Sequence, residues 1–169
     1  MDLTIEPLSF EHCAILADAF AQQSWRKPEQ QYRQYVIEQN AGERDCWVAL
    51  VEGQVAGYVT VKWASPYAPF YEQGVPEIMD LNVLKRFQQQ GIATQLLDHA
   101  ESVVARTHEV VGIGVGLIAD YGPAQALYCR RGYIPDKRGI SVAGVFLTYG
   151  DSVVMGDDVA LYFTKPLSS

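Results

Sequence analysis

The segment Glu77–Val83 has the length and apolar content of a β-strand, and it runs into a polar turn that opens directly onto a helix. The turn reads Gln88, Gln89, Gln90, Gly91, Ile92, Ala93, with small side chains in its fourth and sixth places. A helix N-terminus leaves its first backbone N–H groups without internal partners and carries the positive end of the helix dipole. Such a turn can therefore hold a phosphate group. Strand, turn and helix in immediate succession confine the chain to folds that mix α and β, and they point to a phosphorylated ligand.

The 169 residues suit a single domain spanning 1–169, and a hydrophobic content of 49% is enough for a real core. A net charge of −7 disfavours nucleic acid as the main partner. No apolar run reaches the roughly 20 residues of a membrane span. The first residues, Met1-Asp2-Leu3-Thr4, lack the basic and apolar regions of a signal peptide, so a cytoplasmic location is expected. Cys13, Cys46 and Cys129 are odd in number, widely spaced and apart from His12, His99 and His108, so neither a disulfide framework nor a metal site is expected.

Leu3–Pro7 reads as a first strand. Apolar residues at Ala14, Ile15, Leu16, Ala19 and Phe20 predict a helix over 10–22 with Ser9 as its N-cap, and Pro28 opens a second over 28–40. Runs at 46–51 and 55–63 flank Glu52-Gly53-Gln54 as a hairpin. Residues 64–76 read as a loop rich in proline and aromatic residues. A long helix over 91–106 buries Ala93, Leu96, Leu97, Ala100, Val103 and Val104. In a strand over 109–117, Val111, Ile113, Val115 and Leu117 point one way and Gly112, Gly114 and Gly116 the other. A helix over 122–131 ends at Gly132, 142–148 allows one more strand, and 159–164 is the last.

Residues 88–93 resemble the Q/R-x-x-G-x-G/A signature of the GNAT superfamily of N-acetyltransferases, at the expected strand–loop–helix junction. Ala124-Gln125-Ala126-Leu127-Tyr128-Cys129-Arg130-Arg131-Gly132-Tyr133 is similar to that family's A-x-x-L-Y-x-x-x-G-[FY] helix. With the order of elements, the resemblance covers nearly the whole chain. It implies an α/β GNAT fold: a twisted, mostly antiparallel sheet of six to seven strands with helices on both faces. It also implies transfer of an acetyl group from acetyl-CoA to a primary amine. By the same resemblance, Gln88, Gln89, Gln90, Gly91, Ile92, Ala93 and Thr94 hold the coenzyme's diphosphate, and Leu81, Asn82 and Val83 pair with its pantetheine arm. The family often has Asn seven residues before the tyrosine of the second motif. Here that place is Tyr121, which leaves Tyr121 or Gln125 as the substitute contact. The glycine face at 112–116 would admit the thioester, although packing against glycine explains it as well.

The chemistry requires a proton to leave the attacking ammonium, a donor for the oxyanion, and a proton or hydrogen bond for the departing thiolate. A phenol with a pKa of about 10 is protonated at neutral pH, so Tyr128 can donate, and the resemblance makes it the general acid. Glu77 precedes Gln88 by the interval found for the catalytic glutamate of histone-type family members, which makes it the leading base. A water chain is the alternative, and Asp80, on the opposite strand face, is the weaker candidate. Trp63, Tyr67, Phe70 and Tyr71, with Trp25 and Arg26, could wall an acceptor pocket or merely cover the core. His99 is expected on the exposed side of the long helix, without a partner. A small-molecule amine is the favoured acceptor. A protein lysine or N-terminus, a non-catalytic coenzyme A sensor and a homodimer stay open.

Overall fold

The computed structural model describes residues 1–168. The chain forms two compact units, Met1–Trp63 with Ile78–Val103, and Ala64–Glu77 with the residues from Val104 onward.

In the first unit, strands β1 (Leu3–Pro7), β2 (Arg44–Val51), β3 (Gln54–Lys62) and β4 (Glu77–Val83, from Ile78) lie side by side in chain order. The β1–β2 and β2–β3 pairs are antiparallel. Almost every residue of β2 is buried, as expected of a strand covered on both faces. Cys46 and Val48 enter a core with Leu16 and Phe20 of helix α1 (Phe10–Ala21) and Tyr32 and Val36 of helix α2 (Glu29–Asn40). Trp47, between them in sequence, turns the other way and meets His99 of helix α4 (Ile92–Val104). His99 is thus half-buried with its ring centroid 4.9 Å from that of Trp47, not exposed and unpartnered as expected. Ile92, Leu96, Leu97, Ala100 and Val104 form the buried stripe of α4.

In the second unit, β5 (Val110–Gly116) pairs antiparallel with β9 (Val159–Pro166), which also takes β6 (Ile134–Pro135) and β7 (Ser141–Val142). β8 (Val145–Phe146) then pairs with β7. The single strand expected over 142–148 is instead the β7–β8 hairpin. Its turn, Ala143-Gly144, has both residues at positive φ, and the alanine gave no warning of this. The expected loop over 64–76 contains helix α3 (Ala68–Gln73), opened by Pro69 and closed by Gly74 in the left-handed conformation. Helix α5 (Gly122–Arg130) lies where expected. The six strands of five residues or more match the expected sheet, and three two-residue strands bring the described total to nine.

Candidate active site

The turn after β4 is shaped by its own side chains. Leu84 N–H donates to the Ala56 carbonyl at 2.8 Å, and a single 3-10 turn follows over Lys85–Phe87. The Gln88 side-chain amide donates to the Val83 carbonyl at 3.0 Å, and that of Gln90 to the Arg86 carbonyl at 3.2 Å. Gln89 and Gly91 both have positive φ, 60° and 80°. Left-handed residues in a tight turn rotate successive N–H groups toward one side, the arrangement that favours an anion. Ile92 is buried and anchors the first turn of α4, whose first intrahelical bond runs from Gln95 N–H to the Gly91 carbonyl. Among the described residues, no acceptor engages the N–H groups of residues 89–94. Ala93 is half-buried, while Gln88, Gln89, Gln90, Gly91 and Thr94 are exposed.

Upstream, Leu81 and Asn82 are half-buried and Val83 is buried. Asp80 departs from the expected alternation. It sits in mid-strand with φ of 53°, a backbone region that L-residues rarely adopt. Its carboxylate accepts from Lys27, Gln31, Tyr35, Tyr58 and Asn82. Burial and the Asp80 charge push the Tyr35 and Tyr58 phenols far above their usual range. Strand alternation places Asp80 on the face opposite Glu77, and its donors, which come from positions far apart in the chain, leave no local signal. Trp25, which could wall an acceptor pocket or cover the core, stacks on Phe20 with centroids 5.9 Å apart and packs against the core of the first unit.

The second unit holds the remaining candidates. Tyr128 on α5 is buried, and burial lifts its phenol well above the ordinary range, so it is protonated at any working pH. Its ring lies 5.9 Å from that of Tyr133. Glu77 is a buried carboxylate at 4% exposure, and Ser65 Oγ donates to it at 2.7 Å. Ser65 Oγ in turn accepts the Tyr67 N–H at 3.0 Å. The Tyr121 hydroxyl donates to Asp157 at 2.8 Å, and the Gln125 amide donates to the Gly116 carbonyl at 2.8 Å.

The glycine face of β5 is not open. A Cβ on Gly112 would meet the Phe70 ring at 2.2 Å, one on Gly114 the Tyr162 ring at 2.8 Å, and one on Gly116 the Tyr121 ring at 2.4 Å. These glycines make room for aromatic rings, so packing, rather than admission of a ligand, accounts for them. Tyr67 of the predicted acceptor loop lies flat on Tyr162, with centroids 3.7 Å apart, and donates its hydroxyl to Asp136. An open groove of about 550 Å³ beside α1, with Glu11, Asp18, Gln54 and Arg86 on its walls, contains none of the candidate residues.

The description "Acetyltransferase (GNAT) family" matches residues 14–133. The chain belongs to the GNAT acetyltransferase family. It is an acyltransferase with that family's mixed α/β, mostly antiparallel fold. Solved structures agree on the fold. A GNAT-family protein from Desulfovibrio desulfuricans superposes with a TM-score of 0.73 at 16% identity, covering 99% of this chain and 100% of its own. A Salmonella typhimurium acetyltransferase that modifies the N-terminal serine of a 50S ribosomal subunit protein gives 0.72 at 14%, covering 98% and 95%. The Escherichia coli ribosomal-protein-S18-alanine N-acetyltransferase gives 0.70 at 16%, covering 99% and 96%. No curated protein sequence matches the chain. No helix among the described residues of this acetyltransferase is long and apolar enough to cross a membrane.

Proposed function

We propose that this acetyltransferase moves the acetyl group of acetyl-CoA directly to the primary amine of a small molecule. The observation that carries the reading is the run of N–H groups over residues 89–94 with no acceptor among the described residues, at the start of a well-anchored helix. Those donors, with the left-handed turns at Gln89 and Gly91, suit a diphosphate. Gln88 and Gln90 brace the loop. Leu81, Asn82 and Val83 run beside the pantetheine arm, and Tyr121 or Gln125 takes the place of the family's asparagine.

In the transfer, the ammonium first loses one proton, the amine nitrogen then forms a bond to the acetyl carbon, the carbon–sulfur bond breaks, and the second nitrogen proton is lost while the departing thiolate takes one from solvent. Glu77, buried beside Ser65, takes the amine's proton directly or through water. In this reading Tyr128 serves the departing sulfur. A phenol with a raised pKa is a weak proton donor toward a thiol of pKa near 8.5, so its main service is a hydrogen bond to the developing thiolate.

Thiol release from acetyl-CoA, followed with a panel of small amines and a panel of N-terminal and lysine peptides, tests the reading. Turnover confined to the peptides would replace the small amine with a protein acceptor, and coenzyme binding without turnover on either panel would favour a sensor. Tyr128→Phe should lower kcat about 100-fold with coenzyme affinity little changed. Unchanged turnover would remove Tyr128 from the mechanism.

A further inference from the structure

Five side chains of the first unit donate to the Asp80 carboxylate. Lys27 Nζ at 3.1 Å and Asn82 Nδ2 at 2.6 Å donate to its Oδ1, and Gln31 Nε2 at 2.9 Å, Tyr35 Oη at 2.8 Å and Tyr58 Oη at 2.8 Å donate to its Oδ2. A carboxylate offers about four lone-pair positions, so five donors saturate it. It has no capacity left to act as a base or to receive a ligand.

The donors come from the α1–α2 turn, α2, β3 and β4 itself. They converge on the one residue of β4 with positive φ. An L-residue holds that conformation only where its surroundings over-determine it, and a left-handed residue inside a strand bends the chain and re-aims the residues that follow. The residues that follow are Leu81, Asn82 and Val83. Asn82 is tied to Asp80 through its side chain, and its carbonyl packs so closely on Gly57 that a Cβ there would lie 2.5 Å away.

We propose that Asp80 is a positioning residue for the coenzyme: its five donors hold the bend in β4 that presents Leu81–Val83 to the pantetheine arm. This rests on the reading above that those three residues hold the arm. Asp80 acts through them and touches no reacting atom.

The test compares two ligands by calorimetry: coenzyme A, and adenosine 3′-phosphate 5′-diphosphate, which keeps the diphosphate and lacks the arm. Asparagine tolerates positive φ, so Asp80→Asn keeps the backbone option while replacing an acceptor with a donor. The variant should bind coenzyme A about tenfold more weakly and the fragment with affinity little changed. Tyr35→Phe, which removes a single donor, should weaken coenzyme A by about two- to threefold and serves if Asp80→Asn does not fold. Equal losses for both ligands, or none for coenzyme A, would reduce Asp80 to a structural role and overturn the proposal. A wild-type protein that binds the two ligands equally tightly would instead overturn the underlying placement of the arm on β4.

Discussion

The turn at 88–94 and the strand at 110–116 look alike in sequence, since both place small residues where main chain could meet a ligand. They turn out to be opposites. At the turn, a Cβ added to Gly91 would meet nothing within 4 Å, and the neighbouring N–H groups have no acceptor among the described residues. On the strand, three glycines each lie under an aromatic ring. A glycine leaves space, and only the tertiary structure says whether a ligand or a side chain fills it. In the turn the glycine serves backbone conformation; in the strand it serves packing.

Substitutions should separate the two uses. Gly112→Ala forces the buried Phe70 ring aside, and chemical denaturation should show a loss of about 3 kcal/mol, with coenzyme affinity of the folded protein little changed. A loss below about 0.5 kcal/mol would mean that the ring yields and that the strand is looser than its packing suggests. Gly91→Ala meets no clash but keeps φ of 80°, so its cost is conformational, about 1–2 kcal/mol, and titration with acetyl-CoA should show weaker binding as well. Stability lost with affinity intact would break the comparison. Gly114→Ala, against the less buried Tyr162, should cost about 1 kcal/mol.

The smallest effect is an alkaline one. Burial, then the charges of Glu77 and Asp136, push the Tyr162 phenol up to about 12. Its folded pKa exceeds the unfolded value of about 10, so its contribution is complete below pH 10 and is lost as pH rises through 12. Tyrosinate absorbance should therefore lag the normal titration for a subset of tyrosines, and Tyr162→Phe should shrink that subset. Titration of every tyrosine near pH 10 would show the ring cover to be open.

What was legible in the sequence was local. The stripe Leu96, Leu97, Ala100 and Val104 announces α4, and Ser9 announces α1, because each signal lies within a few turns of one helix. The six longer strands could be read the same way. Pro69 and Gly74 were usable start and stop signals for α3, but the aromatic residues around them read as loop. What was not legible depends on partners remote in the chain. Nothing near His99 names Trp47, and nothing near Gly116 names Tyr121. At the candidate site the phosphate-type turn was visible, whereas the burial of Glu77 and the bonding of Asp80 were not, since a period-two pattern assumes a regular strand.

The bonding around Asp80 also bears on the order of folding. Its donors span positions 27 to 82, so they can converge only after long stretches of chain have been brought together, and closing such loops is entropically costly. An isolated peptide spanning β4 would have no reason to bend at its fourth residue. On the proposed placement of the coenzyme arm, competence to receive it would be among the last properties the first unit acquires, arriving with its final docking rather than with its secondary structure.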